Sequence, residues 1–292
     1  MEIKFIDRQS GKMIKEKPPG ESLLNFLYNT PFGKLSLEIL VKRKIISSLY
    51  GRFMNSTRSA KKIKGFVDDL KIDMNESLHP IDSFKTFNDF FYRKLKPAAR
   101  PIGQGIISPG DGKILAFEDA SQVNSFFIKG KEFTLTEFLH ATPYQESFES
   151  ASMIILRLAP NDYHRYHFPC DGKALAPIKI KGPLYSVSPY ALVKNFTRVF
   201  IENKREITSL QTSTYGNMLL IPVGATMVGS ILQSYTSDSA IKKGDEMGYF
   251  AFGGSTIVIL FEKGKVKIDQ DLLDNTSKGM ETGVRMGEQI AR

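Results

Sequence analysis

The sequence predicts an α+β protein in which a mainly helical N-terminal region precedes a β-rich catalytic domain resembling a sandwich or barrel. Apolar residues recur every four positions from Leu37 to Phe53, as on one face of a helix. From about residue 106 onward, short apolar runs alternate with glycine and proline at close intervals, which is typical of sandwiches and barrels. We therefore divide the chain into residues 1–100, which are basic and mainly helical, and residues 101–292, which are β-rich.

The first region divides into three predicted parts. Residues 1–17 form a short β-hairpin or arm, and Pro18-Pro19-Gly20 then breaks the chain. Helical structure follows over roughly 21–72, with a second helix that ends near Leu70. A capped, aromatic-rich short helix lies within 83–91.

The second region is predicted to consist of strands separated by turns. Glycine and proline bound most of the apolar runs, and the residues after about Lys263 are too polar and loosely patterned to assign. The predicted strands are 113–118, 125–129, 152–158, 173–181, 197–202, 206–212, 217–223, 226–232, 248–252 and 256–261.

The net charge of +9 is carried entirely by the first hundred residues. Residues 1–100 contain 20 Lys or Arg against 11 Asp or Glu, whereas residues 101–292 contain 20 of each. So local an excess predicts an anionic partner, unless the helices simply pack on the rest of the protein. Because apolar rather than stacking residues alternate with the charges, we predict an anionic membrane surface and no nucleic acid.

Membrane insertion is not expected. The longest nearly apolar runs, 218–232 and 248–261, are shorter than the roughly 18–20 residues of a spanning helix. The segment from Met1 to Arg8 lacks the apolar stretch of a signal peptide. With Cys170 as the single cysteine, no intrachain disulfide forms. We expect a peripheral protein on the cytoplasmic face of the membrane.

Three segments carry residues suited to chemistry. Asp111 lies in the turn Ser108-Pro109-Gly110-Asp111-Gly112, and His164 and His167 lie in Asp162-Tyr163-His164-Arg165-Tyr166-His167. Ser255 follows two glycines in Gly253-Gly254-Ser255-Thr256, between two apolar runs. Imidazole moves protons near neutral pH, and an acid can orient an imidazole that activates a serine.

The residues alone leave several alternatives open. His164, His167 and Cys170 are spaced by threes, as zinc ligands can be, but no fourth ligand is evident. A Cys-His pair using Cys170 lacks a nucleophile motif. A serine hydrolase is also conceivable, although Ile257 stands where the second glycine of a nucleophile elbow belongs. A basic binding protein without catalysis is the remaining alternative.

Taken together, these segments resemble the phosphatidylserine decarboxylase family. Ser108–Ile114 resembles its aspartate motif, Asp162–Pro169 its double-histidine motif and Gly253–Thr256 its self-cleavage motif. Order and spacing agree over about residues 80–265, and the helical N-terminal region fits the longer bacterial and mitochondrial type. One position departs from the family, because Gly253 stands where the cleavage motif usually begins with leucine.

The resemblance implies a cofactor made from the chain itself. Ser255 would attack the carbonyl of Gly254, and cleavage would leave a β chain, 1–254, and an α chain, 255–292, that begins with a pyruvoyl group. His167 corresponds to the family's base and Asp111 to its orienting acid, and we assign His164 to decarboxylation or to the following protonation. No metal is expected.

The resemblance also implies the reaction. The pyruvoyl group would form a Schiff base with phosphatidylserine and release CO₂, which yields phosphatidylethanolamine. The basic helices would then dock on an anionic bilayer, and a homodimer is compatible with the resemblance. The rival function is a metal- or serine-dependent hydrolase that uses His164 and His167.

Overall fold

The computed structural model describes residues 3–16, 51–126, 132–140, 142–187, 189–225, 231–251 and 255–292. Most of the predicted apolar stripe, Leu37 to Leu49, and the basic residues beside it therefore lie outside the described residues. So do residues 226–230 of one predicted strand.

The described part of the chain contains both helices and strands, which confirms the predicted α+β class. The α-helices are α1 (Ile63–Leu70), α2 (Phe87–Phe91), α3 (Val123–Phe126), α4 (Leu135–Leu139), α5 (Pro189–Glu202) and α6 (Gln270–Ser277). Short 3-10 helices span Thr57–Lys62, Met74–Glu76, Ile81–Ser83, Pro97–Ala99 and Ala120–Gln122. The strands are β1 (Ile3–Asp7), β2 (Met13–Glu16), β3 (Ile106–Ile107), β4 (Gly112–Phe117), β5 (Ser152–Leu158), β6 (Arg165–His167), β7 (Gly172–Ala174), β8 (Ile178–Ile180), β9 (Arg205–Gln211), β10 (Asn217–Gly224), β11 (Ile231–Gln233), β12 (Ser239–Ile241), β13 (Glu246–Phe250), β14 (Ser255–Phe261), β15 (Glu281–Val284) and β16 (Gln289–Ala291).

The strands form three sheets. The largest has the order β12-β7-β9-β10-β14-β5-β4-β15-β1-β2, with β8 also paired to β9. A smaller sheet has the order β11-β13-β6, and β16 pairs with β3. All pairs are antiparallel except β1 with β15. The chain therefore returns from its last quarter to place β14 and β15 in the middle of the large sheet.

The large sheet is buried on both faces, which explains why its central strands are apolar throughout. On β5, Ile154 and Leu156 belong to an inner core that includes Tyr166 of the small sheet. The alternate residues Met153 and Ile155 belong to an outer core shared with α4 and α5. Side chains alternate between the two faces of a strand, so a continuous apolar run is what two buried faces require.

The N-terminal hairpin is confirmed and has a definite place in the fold. β1 and β2 pair with Ile3 opposite Glu16, and β1 then pairs in parallel with β15, with Phe5 opposite Glu281. Glu16 and Glu281 both bind the buried guanidinium of Arg157 on β5 at 2.6 Å. Because a buried guanidinium is costly without carboxylate partners, this cluster stabilises the hairpin against the sheet of the 101–292 region.

The helices before β3 form a small aromatic layer. α1 ends at Leu70, as predicted, with Lys71 in the left-handed conformation at its C-cap. Thr86 caps α2 through a reciprocal capping box with Asp89. The α2 residues Phe87, Phe90 and Phe91 are buried. They pack with buried apolar residues of the preceding segment, Met54, Ile63 and Val67. In the described parts of the chain, no helix is both long and apolar enough to cross a membrane.

Two predicted strands are wrong. Residues 197–202 belong to α5, in which Leu192, Phe196 and Phe200 are buried four residues apart. The six residues 197–202 contain the consecutive apolar residues Val199, Phe200 and Ile201, as a strand can, and the helical period of 3.6 becomes visible only over the full fourteen residues. Residues 125–126 of the predicted strand 125–129 end α3, and the rest lies outside the described residues.

The C-terminal segment has more structure than its polar sequence predicts. After Lys263 the chain forms α6, β15 and β16. On α6, Leu272 and Thr276 are buried, and the Thr276 hydroxyl accepts a hydrogen bond of 2.9 Å from the amide of Ala116. β15 and β16 are short strands held by pairing with β4 and β3, which a local apolar pattern does not reveal.

Candidate active site

Two connections between strands, one from β5 to β6 and one from β13 to β14, lie close to each other. β5 is followed by β6, and β13 is followed by β14. Ser255 at the start of β14 is in register with Leu158 at the end of β5. The amide of Phe250, at the end of β13, donates a 3.0 Å hydrogen bond to the carbonyl of His164. The connection that carries the predicted cleavage peptide therefore starts next to His164 and ends next to Leu158.

Ser255 is the described half of the predicted cleavage pair, because Gly253 and Gly254 lie outside the described residues. The Ser255 side chain is fully buried, and its Oγ has no hydrogen-bond partner among the residues that the structure describes. It shares a strand face with Ile257 and Ile259, which belong to the inner core. A buried hydroxyl without a partner costs about 1–3 kcal/mol. A role in a reaction would explain why the protein retains a buried hydroxyl that has no hydrogen-bond partner.

His164 is fully buried and held in one orientation. Its Nδ1 lies 2.9 Å from the carbonyl oxygen of Asp162, so Nδ1 carries the proton and donates. The ring centroid lies 3.9 Å from that of Phe91 on α2. In the neutral ring this tautomer makes Nε2 the basic nitrogen.

His167 is also held as a neutral imidazole with a defined tautomer. Its Nδ1 donates to the carbonyl of Gly244 at 2.9 Å, and its Nε2 accepts from the hydroxyl of Tyr163 at 3.2 Å. Burial lowers the pKa of His167, because the charged imidazolium loses its hydration. Burial likewise raises the pKa of Tyr163, so the phenol stays protonated and keeps donating.

The two histidines occupy separate environments. They stand three positions apart around β6, and side chains three apart on an extended segment leave on opposite sides. The side chain of Tyr166 between them enters the inner core. His164 contacts Phe91, whereas His167 stacks against Tyr163 with ring centroids 5.8 Å apart. They cannot serve as two ligands of one ion in this arrangement.

Asp111 is tied to a different partner from the one that the sequence predicts. Its carboxylate accepts hydrogen bonds from the Arg100 guanidinium at 2.6, 2.9 and 3.1 Å and from the amide of Met286 at 2.8 Å. No hydrogen bond joins Asp111 to His167 among the described residues. The two are linked through the backbone instead, because the His167 amide donates to the carbonyl of Pro109 at 2.8 Å.

The glycine after Asp111 has a packing reason. A Cβ on Gly112 would lie 2.5 Å from the carbonyl oxygen of Arg157. Only glycine allows β4 to approach β5 this closely at its first residue. On the other side of the turn, the hydroxyl of Ser108 donates to the carbonyl of Gly110 at 2.7 Å. These contacts fix the position from which Asp111 projects.

Sequence reasoning missed several side chains that shape this region. Arg100 precedes the boundary proline and gave no signal beyond its charge. Asp162 accepts a 2.7 Å hydrogen bond from the amide of Ala159 and pairs with Lys113 at 2.8 Å, which holds the turn before His164. Asp111, Arg100 and Tyr163 line a polar cavity of about 320 Å³.

The residues named for the alternative functions are placed unfavourably for them. The Cys170 thiol is buried beside Met218, and burial raises its pKa to about 12, so it is not a ready nucleophile. Within the described residues, no group of three His, Cys, Asp or Glu side chains is arranged to hold a metal ion.

Comparison with known proteins identifies the family. The family model described as phosphatidylserine decarboxylase matches residues 87–292, which includes all three motifs. A protein named phosphatidylserine decarboxylase proenzyme from Fusobacterium nucleatum subsp. nucleatum is 49% identical over 291 residues, covering 99% of this chain and 97% of the relative.

Relatives with the same name occur in clostridia. The Clostridium perfringens protein is 44% identical, with 99% of each chain covered, and the Clostridium novyi protein is 43% identical, with 99% of this chain and 98% of the relative covered. These matches run through the N-terminal region as well as the β-rich domain. The chain belongs to the phosphatidylserine decarboxylase family and is a carbon–carbon lyase of the carboxy-lyase type.

Proposed function

We propose that this chain cleaves itself between Gly254 and Ser255 and then converts phosphatidylserine to phosphatidylethanolamine and CO₂. The observation that carries the proposal is the buried, unpartnered Ser255 hydroxyl at the first residue of β14. The family and the relatives' name, which includes the word proenzyme, support both steps. Membership of a lyase family also leaves no reason to propose the hydrolase alternative.

In the first step, the Ser255 oxygen attacks the carbonyl carbon of Gly254, and the amide becomes an ester. Loss of the Ser255 α-proton then expels the Gly254 carboxylate and leaves a dehydroalanine. Addition of water and release of ammonia convert this residue to the pyruvoyl group. The group thus arises from the residue whose hydroxyl lacks a partner, so the site fits it.

We assign the proton transfers of cleavage to His167, with Asp111 as the supporting acid. His167 is supported as a base by its neutral state and by a tautomer with Nε2 as the accepting nitrogen. Asp111 would support His167 through the Pro109–Gly110 backbone to which the His167 amide is hydrogen-bonded. The Arg100 guanidinium holds the Asp111 carboxylate in place. Tyr163 must release Nε2 before that nitrogen can accept a proton from Ser255.

The second step requires an electron sink, which a pyruvoyl carbonyl at residue 255 would supply to the substrate through its amine. His164 is assigned to decarboxylation or to protonation of the α-carbon that loses CO₂. Its fixed tautomer and its contact with Phe91 support this role, because a positioned imidazole can return a proton without searching rotamers. The surrounding inner core excludes water from the reacting atoms.

Cleavage would leave two chains that remain one folded unit. β14 begins at Ser255 and pairs along its whole length with β10 and β5, both from the 1–254 chain. β15 pairs with β4 and β1, and β16 pairs with β3. The 255–292 chain is therefore an internal part of the large sheet and should stay bound without a covalent link.

A carbonyl reagent tests the proposed cofactor. Hydroxylamine should abolish phosphatidylserine decarboxylation and add one oxime mass to the 255–292 chain, because only a ketone at residue 255 reacts in this way. Activity is followed as CO₂ release and the adduct by mass spectrometry, with boiled enzyme as the blank. Full activity after saturating reagent, or an adduct on the 1–254 chain alone, would contradict the pyruvoyl assignment.

We also propose that the basic N-terminal region docks on an anionic membrane. In its described part, the basic side chains of the 52–64 segment are all exposed: Arg52, Arg58, Lys61, Lys62 and Lys64. Phe53 is exposed as well, with the Lys62 ammonium 5.2 Å from its ring centroid. Basic residues around an exposed aromatic ring favour an anionic bilayer, at about 1 kcal/mol for each basic residue near the surface.

Charge reversal tests the docking proposal. We expect the triple variant Lys42→Glu, Arg43→Glu, Lys44→Glu to float less with liposomes containing phosphatidylglycerol, because its attraction to the surface is lost. Cleavage at Ser255 should continue, and Lys278→Glu, which reverses an exposed charge in the C-terminal region, serves as a control for a change of charge outside the basic segment. Unchanged flotation together with unchanged turnover on liposomes would rule out docking through these residues.

A further inference from the structure

Arg93 is a buried arginine without an anionic partner. It exposes only 6% of its surface, and no hydrogen bond or ion pair joins its guanidinium to any described residue. Its Nε is enclosed and unsatisfied, and its guanidinium carbon lies 5.0 Å from the centroid of the Phe90 ring. Asp111 and Glu76 attract its charge without forming an ion pair with it, which partly offsets the lowering of its pKa by burial. Other buried arginines differ: Arg157 binds two glutamates, and Arg205 donates to three backbone carbonyls.

The backbone on both sides of Arg93 is held by hydrogen bonds, which fixes the point from which its side chain extends. The Arg93 amide donates to the carbonyl of Phe90 at 3.1 Å, at the end of α2. The next residue, Lys94, accepts from the amide of Leu78 at 2.8 Å, and Leu95 bridges to Ser77. A buried guanidinium loses its hydration, which lowers its pKa, and it is retained at a free-energy cost.

Nearby carboxylates are already used by other cations. Asp111 is bound by Arg100, and Glu76 is bound by Arg100 at 2.9 Å and by Arg285 at 3.2 Å. These two acids line the polar cavity described above, and Arg93 lines it with them. An anion for Arg93 must therefore come from outside this cluster.

Arg93 also lines a second cavity, of about 440 Å³, and this one is basic. Lys85, Lys94 and Arg165 also line it, with Asp89 as its one carboxylate. Arg165 is neutralised by Glu246 at 2.8 Å. The oxygens of Asp89 accept from the amide of Thr86 and the hydroxyl of Tyr92, so they cap α2 instead of pairing with Arg93. This cavity keeps an excess of positive charge.

The basic cavity lies against the candidate active site. Phe91, two residues before Arg93, packs against His164 with the ring centroids 3.9 Å apart. Arg165, on the cavity wall, follows His164 directly and lies 4.9 Å from the ring of Tyr249 on β13, the strand that leads to the cleavage connection. An anion held by Arg93 would thus lie beside the segment that carries His164, although neither His164 nor Ser255 lines this cavity.

We infer that Arg93, with Lys85 and Lys94, binds the phosphodiester of the phospholipid substrate, an assignment that rests on the proposed function. The substrate also carries a carboxylate, but that group leaves as neutral CO₂. A strong ion pair to it would stabilise the ground state more than the transition state and slow the reaction. The phosphodiester keeps its charge throughout, and guanidinium is well suited to bind it through two hydrogen bonds.

Binding of a phosphodiester that cannot react tests this inference directly. Glycerophosphocholine has the phosphodiester but no primary amine, so its binding does not depend on a pyruvoyl group. We expect Arg93→Gln to weaken its binding, measured by ³¹P NMR titration, by about tenfold or more. Arg93→Lys should fall between wild type and Arg93→Gln, and the remote, exposed Arg198→Gln is the matched control.

Kinetics and a second anion complete the test. With dihexanoyl phosphatidylserine, Arg93→Gln should raise KM about tenfold or more and leave kcat within a few-fold, while cleavage stays complete. Unchanged glycerophosphocholine binding in Arg93→Gln overturns the inference, as does inorganic phosphate binding as tightly as the phosphodiester. If Arg93→Gln unfolds, the binding of glycerophosphocholine to Arg93→Lys tests the inference instead. Unaltered binding by Arg93→Lys together with altered cleavage would assign Arg93 to processing and not to substrate binding. An uncleaved, inactive wild type would instead refute the proposed function, and the binding result would still stand.

Discussion

Ser255→Ala is expected to remain a single chain of residues 1–292, whereas the wild-type protein separates into chains 1–254 and 255–292. The alanine has no oxygen to attack the Gly254 carbonyl and no route to a pyruvoyl group, so decarboxylation should fall by at least about a thousandfold. Intact-mass spectrometry under denaturing conditions measures the cleavage, and CO₂ release from phosphatidylserine measures the activity.

The same variant should fold at least as well as a wild-type precursor. The hydroxyl that it removes is buried without a partner among the described residues, so its loss should leave the free energy of unfolding unchanged or raise it by up to about 1–3 kcal/mol. Ser152→Ala is the matched control, because Ser152 is a buried serine at the opposite end of the same strand pair. A Ser255→Ala protein that still splits after residue 254, or a wild type that never splits, would refute self-cleavage at this serine.

The sequence predicts Ser255 as a site residue, but it does not show whether the Ser255 hydroxyl has a hydrogen-bond partner. An apolar run after Gly-Gly predicts a buried strand, and β14 is one. That the Ser255 hydroxyl lacks a partner depends on β10 and β5, which flank it from distant parts of the chain. Nothing local in the sequence reports whether a buried hydroxyl is satisfied, because its partners come from tertiary packing.

The sequence-based errors in the fold have a common cause. Residues 197–202 read as a strand because three consecutive apolar residues stand in a short window, whereas the helical period of α5 needs a longer span to become visible. β15 and β16 were missed since they are held by pairing with β4 and β3 and not by an apolar pattern of their own. Strand propensity depends on neighbours that only the folded chain supplies.

The contact predicted between Asp111 and His167 shows how much of the site the sequence predicts and how much it does not. The sequence predicts that their two segments lie together, and they do, since the His167 amide donates a hydrogen bond to the Pro109 carbonyl. It did not show that Arg100 and the Met286 amide bind the Asp111 carboxylate. Arg100 lies only eleven residues before Asp111, but charge alone does not indicate which acid an arginine will bind.

The two histidines should separate the two reactions. We expect His164→Ala to cleave into chains 1–254 and 255–292 but to lose about 10²–10⁴-fold in decarboxylation, the usual contribution of a general acid or base. His167→Ala should instead remain largely uncleaved. The two rings have separate contacts. His164 contacts the Asp162 carbonyl and Phe91, whereas His167 contacts the Gly244 carbonyl and Tyr163. One ring can therefore be removed without repositioning the other.

The pH dependence of cleavage gives the His167 assignment a second, independent measurement. Because burial lowers the pKa of His167, the ring stays neutral and basic to below the ordinary histidine pKa of about 6.5. Cleavage of newly synthesised chains should therefore be constant near pH 7 and slow only as the pH falls below about 6.5. The His164→Ala protein should show the same profile. If His164→Ala blocks cleavage and His167→Ala does not, the roles are exchanged, and the base that activates Ser255 is the imidazole beside Phe91.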